Sequence, residues 1–507
     1  MLREERSSPG LLRETFLEDK TIMQFNNIDF FLFFICVVSL LILLVHRRYQ
    51  LVFLLLASYL FYFASNGIFV YLLLLVSIIT YITGDIIYRS STKRKRKISL
   101  IFGTATTLLI LGFFKYYNFG AESFNLVTQM LGYPTPLPLI NLVLPIGISF
   151  FTFSALSYIF DIYRGQLVPT KSFYEYSLFI AYFPHLLAGP IVRASQFLPQ
   201  LKHSIQITPE NLKYGITLIA WGFIKKFVIA DNVAPVVNGI FSHPLDFGSF
   251  YIILGTLLFG IQIFCDFSGY CDIALGLANI IGLHLPLNFF RPYFSKSPTE
   301  FWRRWNITLS SFIRDYVYIS IGGNRNGTLR TYLNLIASML LCGLWHGAAW
   351  NFILWGGYHG ILLSADKILK KELHFGKRIH GFLETHSGYL IKILVTQYFI
   401  FLGWLIFRVG NLSDLSYCIQ KFVLIDFAFT GPQIKFLLIC GSAAIVFFVL
   451  LLNRTFADHI VSISTKDWIA YFAELPLKYW TLYLSVMILI YLCLSPATSP
   501  QFIYYQF

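Results

Sequence analysis

The sequence predicts an all-α, polytopic membrane protein, and three features carry that expectation. Hydrophobic residues make up 56% of the 507 positions and charged residues 13%, with a mean hydropathy of +0.65, far from the balance of a soluble globular chain. Apolar runs near the ~20-residue length of a helical span recur along the chain. These runs are continuous rather than alternating, which excludes a closed barrel.

In chain order, spans are expected at 29–46, 50–64, 68–88, 98–115, 143–160, 214–230, 250–285, 331–364, 393–408, 434–452 and 479–495. The total is roughly 11–13 transmembrane helices, because 250–285 and 331–364 are long enough to be pairs or broken helices. Pro145, Gly147, Pro184, Gly189 and Pro190 interrupt the apolar pattern. They predict re-entrant segments covered by protein, since free backbone groups cannot face lipid. Residues 1–22 carry charges of both signs and no apolar core, so they read as a disordered or non-native extension and not as a signal peptide. A single membrane domain is expected over 23–507, beginning at "MQFNNIDFFLFF".

The net charge of +14 comes from 39 basic and 25 acidic residues. In such a chain it reads as loop charge that sets orientation, not as a nucleic-acid surface. "YRSSTKRKRKI" is the strongest basic loop and is expected in the cytoplasm; "HRRYQ" falls on the same side. Seven cysteines are scattered through apolar segments, as small buried hydrophobes would be rather than a disulfide framework. Cys265 and Cys271, beside Asp266 and Asp272, match no common zinc spacing, so no metal is expected.

"SPTEFWRRWNITLSSFIRDY", residues 297–316, concentrates charge between apolar runs. At ~100° per residue, Arg303, Asn306, Ser310 and Arg314 fall within about 80° on a helix, with Phe301, Trp305, Leu309 and Phe312 opposite. One amphipathic helix is therefore expected, started by Pro298 and a Thr299 cap. As an interfacial anchor it would set Trp at the headgroup level and let Arg snorkel to phosphate. As a functional element, Arg303 and Arg304 would receive a phosphate-bearing cofactor through forked donors, with Asn306 deeper, near the chemistry.

"LLCGLWHGAAWNFILWGGYHG" places His346 inside an apolar stretch, where an ionisable residue marks a functional site by default. Gly343, Gly347, Ala348 and Ala349 would let neighbouring helices approach closely, with Trp345 as a wall. A neutral imidazole can take a proton from a hydroxyl as its oxygen attacks a carbonyl, without any metal. His359 lies thirteen residues on, about 220° away on a continuous helix, so both line one site only if the helix breaks. His185, in "YFPHLLAGP", reads as structural. No nucleophile elbow, P-loop or dinucleotide fingerprint is found.

With Asn306 and "LWHG" placed, the sequence resembles the membrane-bound O-acyltransferase (MBOAT) family, most of all the branch containing the membrane subunit of alginate O-acetyltransferase. The resemblance runs from about Met23 to Phe507, through "LGFFKYYNF", "LPIGISFFTFSALSYIFDIYRG", "FPHLLAGPIVRASQFLPQL", "FCDFSGYCDIALGLANIIG", "SPTEFWRRWNITLSSFIRDYVYISIGGNR", "LCGLWHGAAWNFILWGGYHG" and "FIYYQF". It implies a helical fold around a central tunnel or funnel, in which an acyl thioester from the cytoplasm acylates a hydroxyl. It implies that His346 is the catalytic base. Asn306 stands at the family's second polar position, which is His in much of the polysaccharide-modifying branch. An Asn can orient a substrate or polarise a carbonyl but cannot shuttle a proton at neutral pH. Tyr504, in "FIYYQF", answers to a C-terminal aromatic motif proposed to carry the acyl group; an aromatic belt at the membrane face would look the same. With Lys478 inside, the last span would put this tail outside.

The expected reaction is transfer of an acyl group, most readily acetyl from acetyl-CoA, across the inner membrane of a bacterium to a hydroxyl of an exported polysaccharide or cell-wall glycan, as in alginate biosynthesis. An extracytoplasmic SGNH-type transferase is the expected protein partner, and membrane lipid surrounds the chain. Acylation of a lipid, peptide or teichoic acid uses the same chemistry. A transporter or flippase of lipid-linked sugars would be expected to show an inverted repeat, and a non-catalytic scaffold for glycan export would not need His346.

Overall fold

The computed structural model describes residues 25–133, 136–372, 381, 385–426, 431–433, 468–498, 500 and 502–503. The expected extension at 1–22, the span at 434–452 and Tyr504 lie outside the described residues. Among those described, every regular element is helical.

The chain opens with α1 (Ile28–Leu43), α2 (Arg47–Asn66), α3 (Val70–Arg89) and α4 (Lys93–Met130). Next come α5 (Ile148–Tyr163) and α6 (Phe173–Ala181). Then α7 (Pro209–Phe223) runs through a π-helical segment, Ile224–Ala230, into α8 (Asp231–Ser242). The long α9 (Ser249–Ile281) follows, then two short helices, α10 (Pro298–Arg304) and α11 (Ile307–Phe312), and a second π segment, Ile313–Tyr318. A hairpin of α12 (Thr328–His346) and α13 (Trp350–Glu372) leads to α14 (His386–Arg408) and α15 (Leu412–Val423). The described chain closes with α16 (Trp468–Glu474) and α17 (Leu477–Leu494).

Among the described residues, five helical stretches are long and apolar enough to cross a bilayer: Arg47–Arg89, Lys93–Met130, Ser249–Ile281, Ser387–Arg408 and Leu477–Leu494. The protein is a multi-pass helical membrane protein. The spans at 29–46 and 143–160 appear as the shorter apolar helices α1 and α5. The run at 250–285 is one unbroken helix to Ile281, whereas 331–364 is a pair that breaks at Gly347–Ala349.

α9 is the axis of the packing, with α7 and α8 laid along it. The approach is close because glycines face each other: a Cβ on Gly222 would sit 2.6 Å from the Gly269 carbonyl oxygen, and one on Gly269 2.8 Å from that of Gly222. Small facing residues are how helices gain contact where lipid supplies no hydrophobic drive. Behind α9 lies the segment 176–194, almost wholly buried; past the end of α6 at Ala181 it holds only a turn of helix, Phe183–Leu186, before it becomes irregular. This is protein-covered irregular backbone of the kind that Pro184, Gly189 and Pro190 predicted. The exposed apolar side chains of α4 and α17, such as Leu109, Leu482 and Leu489, form the surface that meets lipid.

Candidate active site

α12 ends at His346. The last carbonyls of any helix have no partner within it and carry partial negative charge. Here α4 supplies the partners: the Lys115 ammonium donates to the Trp345 carbonyl at 2.5 Å and to the His346 carbonyl at 3.1 Å, and the Tyr116 hydroxyl to the Leu344 carbonyl at 2.7 Å. The end of α12, and so the imidazole, is fixed from a helix more than 200 residues away in sequence. Lys115 also lies 5.9 Å from the centre of the Trp345 ring. In "LGFFKYYNF" the only sign of this role is a lysine at the end of an apolar run, which does not by itself name a partner.

The His346 ring is 3% exposed. It packs edge to face on Trp355 at 4.9 Å, Trp345 at 5.0 Å and Phe407 at 5.4 Å. With Lys115, Gly147, Ser149 and Leu187 it lines a cavity of about 40 Å³. One water needs roughly 10–15 Å³ by this kind of measure, so an acetyl-sized group fits and a whole sugar does not. Gly147 shapes the wall: it turns the chain into α5 at φ 81°, and a Cβ there would lie 2.4 Å from the Leu186 carbonyl oxygen.

The break at Gly347–Ala349 brings His359 back beside His346, as a continuous helix could not. Trp355 separates the two rings, 4.9 Å from His346 and 4.8 Å from His359. The Trp302 indole donates to His359 Nδ1 at 3.3 Å, which leaves the ring proton of neutral His359 on Nε2. His359 is 1% exposed and buttresses the aromatic layer.

Residues 297–316 correct the expected amphipathic helix. α10 stops at Arg304, Trp305 is extended, and Asn306 takes the left-handed conformation, φ 41° and ψ 56°. The backbone groups freed by this break find partners in a distant segment: Phe290 N donates to Arg304 O and Ile307 N to Asn288 O, both at 2.9 Å. The Asn288 side chain then caps α11, accepting from Thr308 N at 3.1 Å and from the Thr308 hydroxyl at 2.9 Å. At the start of α10 the cap is Ser297, not Thr299; the Thr299 hydroxyl donates to Asp366 instead. Phe301, Trp305, Leu309 and Phe312 are buried in protein and do not face lipid.

Asn306 is 1% exposed, and its amide nitrogen has no hydrogen-bond partner among the described residues. It does not line the His346 cavity. Aromatic rings connect the two regions instead: Trp305 to Trp404 at 4.7 Å, Trp404 to Trp355 at 6.3 Å, Trp355 to His346 at 4.9 Å. Arg304 is engaged by Glu300 at 2.5 Å and Arg303 is exposed; neither reaches that cavity.

The acidic residues beside the cysteines are held by lysines. Lys226 bridges Asp231 at 2.7 Å and Asp266 at 2.6 Å, and Lys225 pairs with Asp272 at 2.5 Å. Nearer the surface, burial opposes the charge of Asp315, but hydrogen bonds from Arg314 and Arg193 outweigh it and hold its carboxyl below the usual range.

Residues 59–373 match the pattern that describes the membrane-bound O-acyltransferase family. An Azotobacter vinelandii protein named "Probable alginate O-acetylase AlgI" is 40% identical over 369 residues, 72% of this chain and 71% of its own length. The peptidoglycan O-acetyltransferase of Helicobacter pylori is 34% identical, with 71% of each chain covered. The teichoic acid D-alanyltransferase of Bacillus subtilis is 29% identical over 55% of this chain and 73% of its own. The extent of these matches makes the conclusion plain: this chain belongs to the membrane-bound O-acyltransferase family.

Proposed function

We propose that this protein, a multi-pass enzyme of the bacterial inner membrane, transfers an acetyl group from a cytoplasmic thioester, acetyl-CoA, to a hydroxyl of an exported polysaccharide or cell-wall glycan. The observation that carries the reading is His346: an imidazole clamped at a helix end by Lys115 and Tyr116, walled by aromatic rings, on a cavity sized for an acetyl group. The names of the relatives, two of them glycan O-acetylating enzymes, support the acceptor class.

His346 takes the proton of the acceptor hydroxyl as its oxygen attacks the thioester carbonyl; the tetrahedral adduct collapses, the C–S bond breaks, and the imidazolium returns the proton to the leaving thiolate. Asn306 orients a substrate group, and its unengaged amide nitrogen is the donor for it. The tight cavity limits hydrolysis by keeping bulk water from the thioester. Tyr504 is the candidate acyl carrier toward an extracytoplasmic SGNH-type transferase, which completes delivery.

The test compares O-acetyl content of surface glycans among wild type, His346→Ala and Asn306→Ala at matched protein levels. His346→Ala is expected to lose acetylation by roughly 10²–10⁴-fold. Unchanged acetylation in both variants would remove the site.

A further inference from the structure

The cavity of His346 has a second polar wall, the start of α5. Gly147, Ile148 and Ser149 line it together with the end of α12. We propose that the N–H groups of Gly147 and Ser149 and the Ser149 hydroxyl form an oxyanion hole, which holds the negative oxygen of the tetrahedral adduct while His346 holds the proton. The proposal rests on the acyl-transfer reading above and adds Ser149 to it as a catalytic residue.

Three features of this wall suit an anion. The first is a set of unspent backbone donors. Ile148 N donates to the Pro145 carbonyl at 3.2 Å, and Phe150 N and Phe151 N to the Gly147 carbonyl at 2.9 and 3.0 Å, but the N–H groups of Gly147 and Ser149 have no acceptor among the described residues. The second is the Ser149 side chain. Ser149 is 9% exposed and lines the cavity, yet its hydroxyl has no hydrogen-bond partner among the described residues. An unpaired buried hydroxyl is costly, and an oxygen atom of a bound group would remove that cost. The third is the sign of the charge. No carboxylate lines the cavity, whereas the Lys115 ammonium does, and the macrodipole of α5 puts about half a positive charge at its start. Such a field favours negative charge.

The chemistry needs such a wall. As the acceptor oxygen bonds to the thioester carbon, the π pair of the C=O bond moves onto the carbonyl oxygen and the hydroxyl proton moves onto His346. Collapse returns that pair to the C=O bond, the C–S bond breaks, and the thiolate takes the proton from the imidazolium. In a cavity of about 40 Å³ there is little room for water to solvate the oxyanion, so fixed donors must do it. The same small volume keeps base and donors within reach of one reacting carbon. The wall is also rigid. The Tyr62 hydroxyl donates to the Ile146 carbonyl at 3.0 Å and Ile146 N to the Asn66 side chain at 3.0 Å, so α2 holds the chain as it enters α5. Phe150 and Phe153 pack on Trp345 at 5.4 and 5.7 Å, which locks the start of α5 to the helix end that carries His346. Donors placed in advance need no reorganisation at the moment of reaction.

At matched protein levels, Ser149→Ala is expected to slow O-acetyl incorporation into surface glycans by roughly 10²–10³-fold, and Ser149→Thr, which returns a hydroxyl, to recover about tenfold of that loss. The carbonyl is then read directly in the full His346→Ala chain in phosphatidylcholine nanodiscs, which lacks the base but keeps the wall. Infrared difference spectra between acetyl-CoA and acetyl-CoA isotope-labelled at the carbonyl carbon isolate the thioester band. Hydrogen bonds to the oxygen weaken the C=O bond, so the band is expected at lower frequency with Ser149 present than in the chain that also carries Ser149→Ala. Undiminished acetylation in His346→Ala beside a Ser149-dependent band would count against the base and for the hole. The same band position in both chains, wild-type acetylation in Ser149→Ala, or an acetyl group found covalently on Ser149 would overturn the proposal, the last by making the hydroxyl a nucleophile.

Discussion

Asn306 combines a left-handed backbone with a buried amide. L-residues other than Gly and Asn pay about 1–2 kcal/mol in that conformation, so backbone and side chain can be tested apart. Asn306→Gly is expected to fold with a midpoint close to wild type in detergent thermal melts, yet to lose transfer if the amide acts on substrate. Asn306→Val is expected to lose about 1–2 kcal/mol as well. Equal activity of Asn306→Gly and wild type would assign the residue to the backbone alone. Lys115 is a positioning residue, acting through the carbonyls of Trp345 and His346. Lys115→Met is expected to lower kcat at least tenfold with the donor KM unmoved; a KM effect alone would argue for a binding role. Neither property was legible in sequence, where Asn306 counted as a point on a helical stripe and Lys115 as the end of a span.

At the scale of elements, the hairpin α12–α13 sets the site, and glycine sets the hairpin. A Cβ on Gly343 would lie 2.1 Å from the Phe352 carbonyl oxygen and one on Gly356 2.3 Å from that of Met339. Both obstacles are backbone, which cannot swing aside. Gly343→Ala and Gly356→Ala are each expected to cost about 1–3 kcal/mol by overpacking and to reduce transfer by moving His346, whereas Gly357→Ala, whose Cβ meets only a Leu340 methyl at 3.5 Å, is expected to be silent in both assays. Small residues around "LWHG" did announce close packing in the sequence. The 297–316 segment shows the opposite case: its 3.6-residue periodicity is real, but Asn288 and Phe290 offer hydrogen bonds that stabilise a break, and a pattern read from one segment contains nothing about a partner in another.

Across the whole molecule, the two ends of the described chain meet on α9. Phe25 and Phe502 both pack on Tyr270, at 4.8 and 4.9 Å, and Ile503 N donates to Asp266 at 2.8 Å, while Lys226 reaches the Pro500 carbonyl at 3.3 Å. Thus the buried Lys226–Asp231–Asp266 cluster anchors the segment that leads to Tyr504. Removing one member of a buried ion pair costs about 3–5 kcal/mol, because the charge left behind loses its compensation. Lys226→Met is expected to lower stability by that amount and to open the C-terminus to carboxypeptidase; a protease-resistant C-terminus in a folded Lys226→Met protein would contradict the anchor. The sequence showed Asp266 and Asp272 only as neighbours of cysteines, since their lysine partners lie some forty residues upstream.

Composition and run length by themselves determined that the chain is helical and membrane-spanning, because a bilayer admits few ways to satisfy a backbone and each leaves a long apolar signature. They also singled out His346, since an ionisable group within such a run is costly enough to be conspicuous. Only the tertiary structure decided that α4 clamps this histidine, that the 297–316 helix breaks at Asn306, and that the start of α5 shares one cavity with His346. Each of these depends on hydrogen bonds or charges supplied from distant segments, whose pairing becomes defined only when the helices pack.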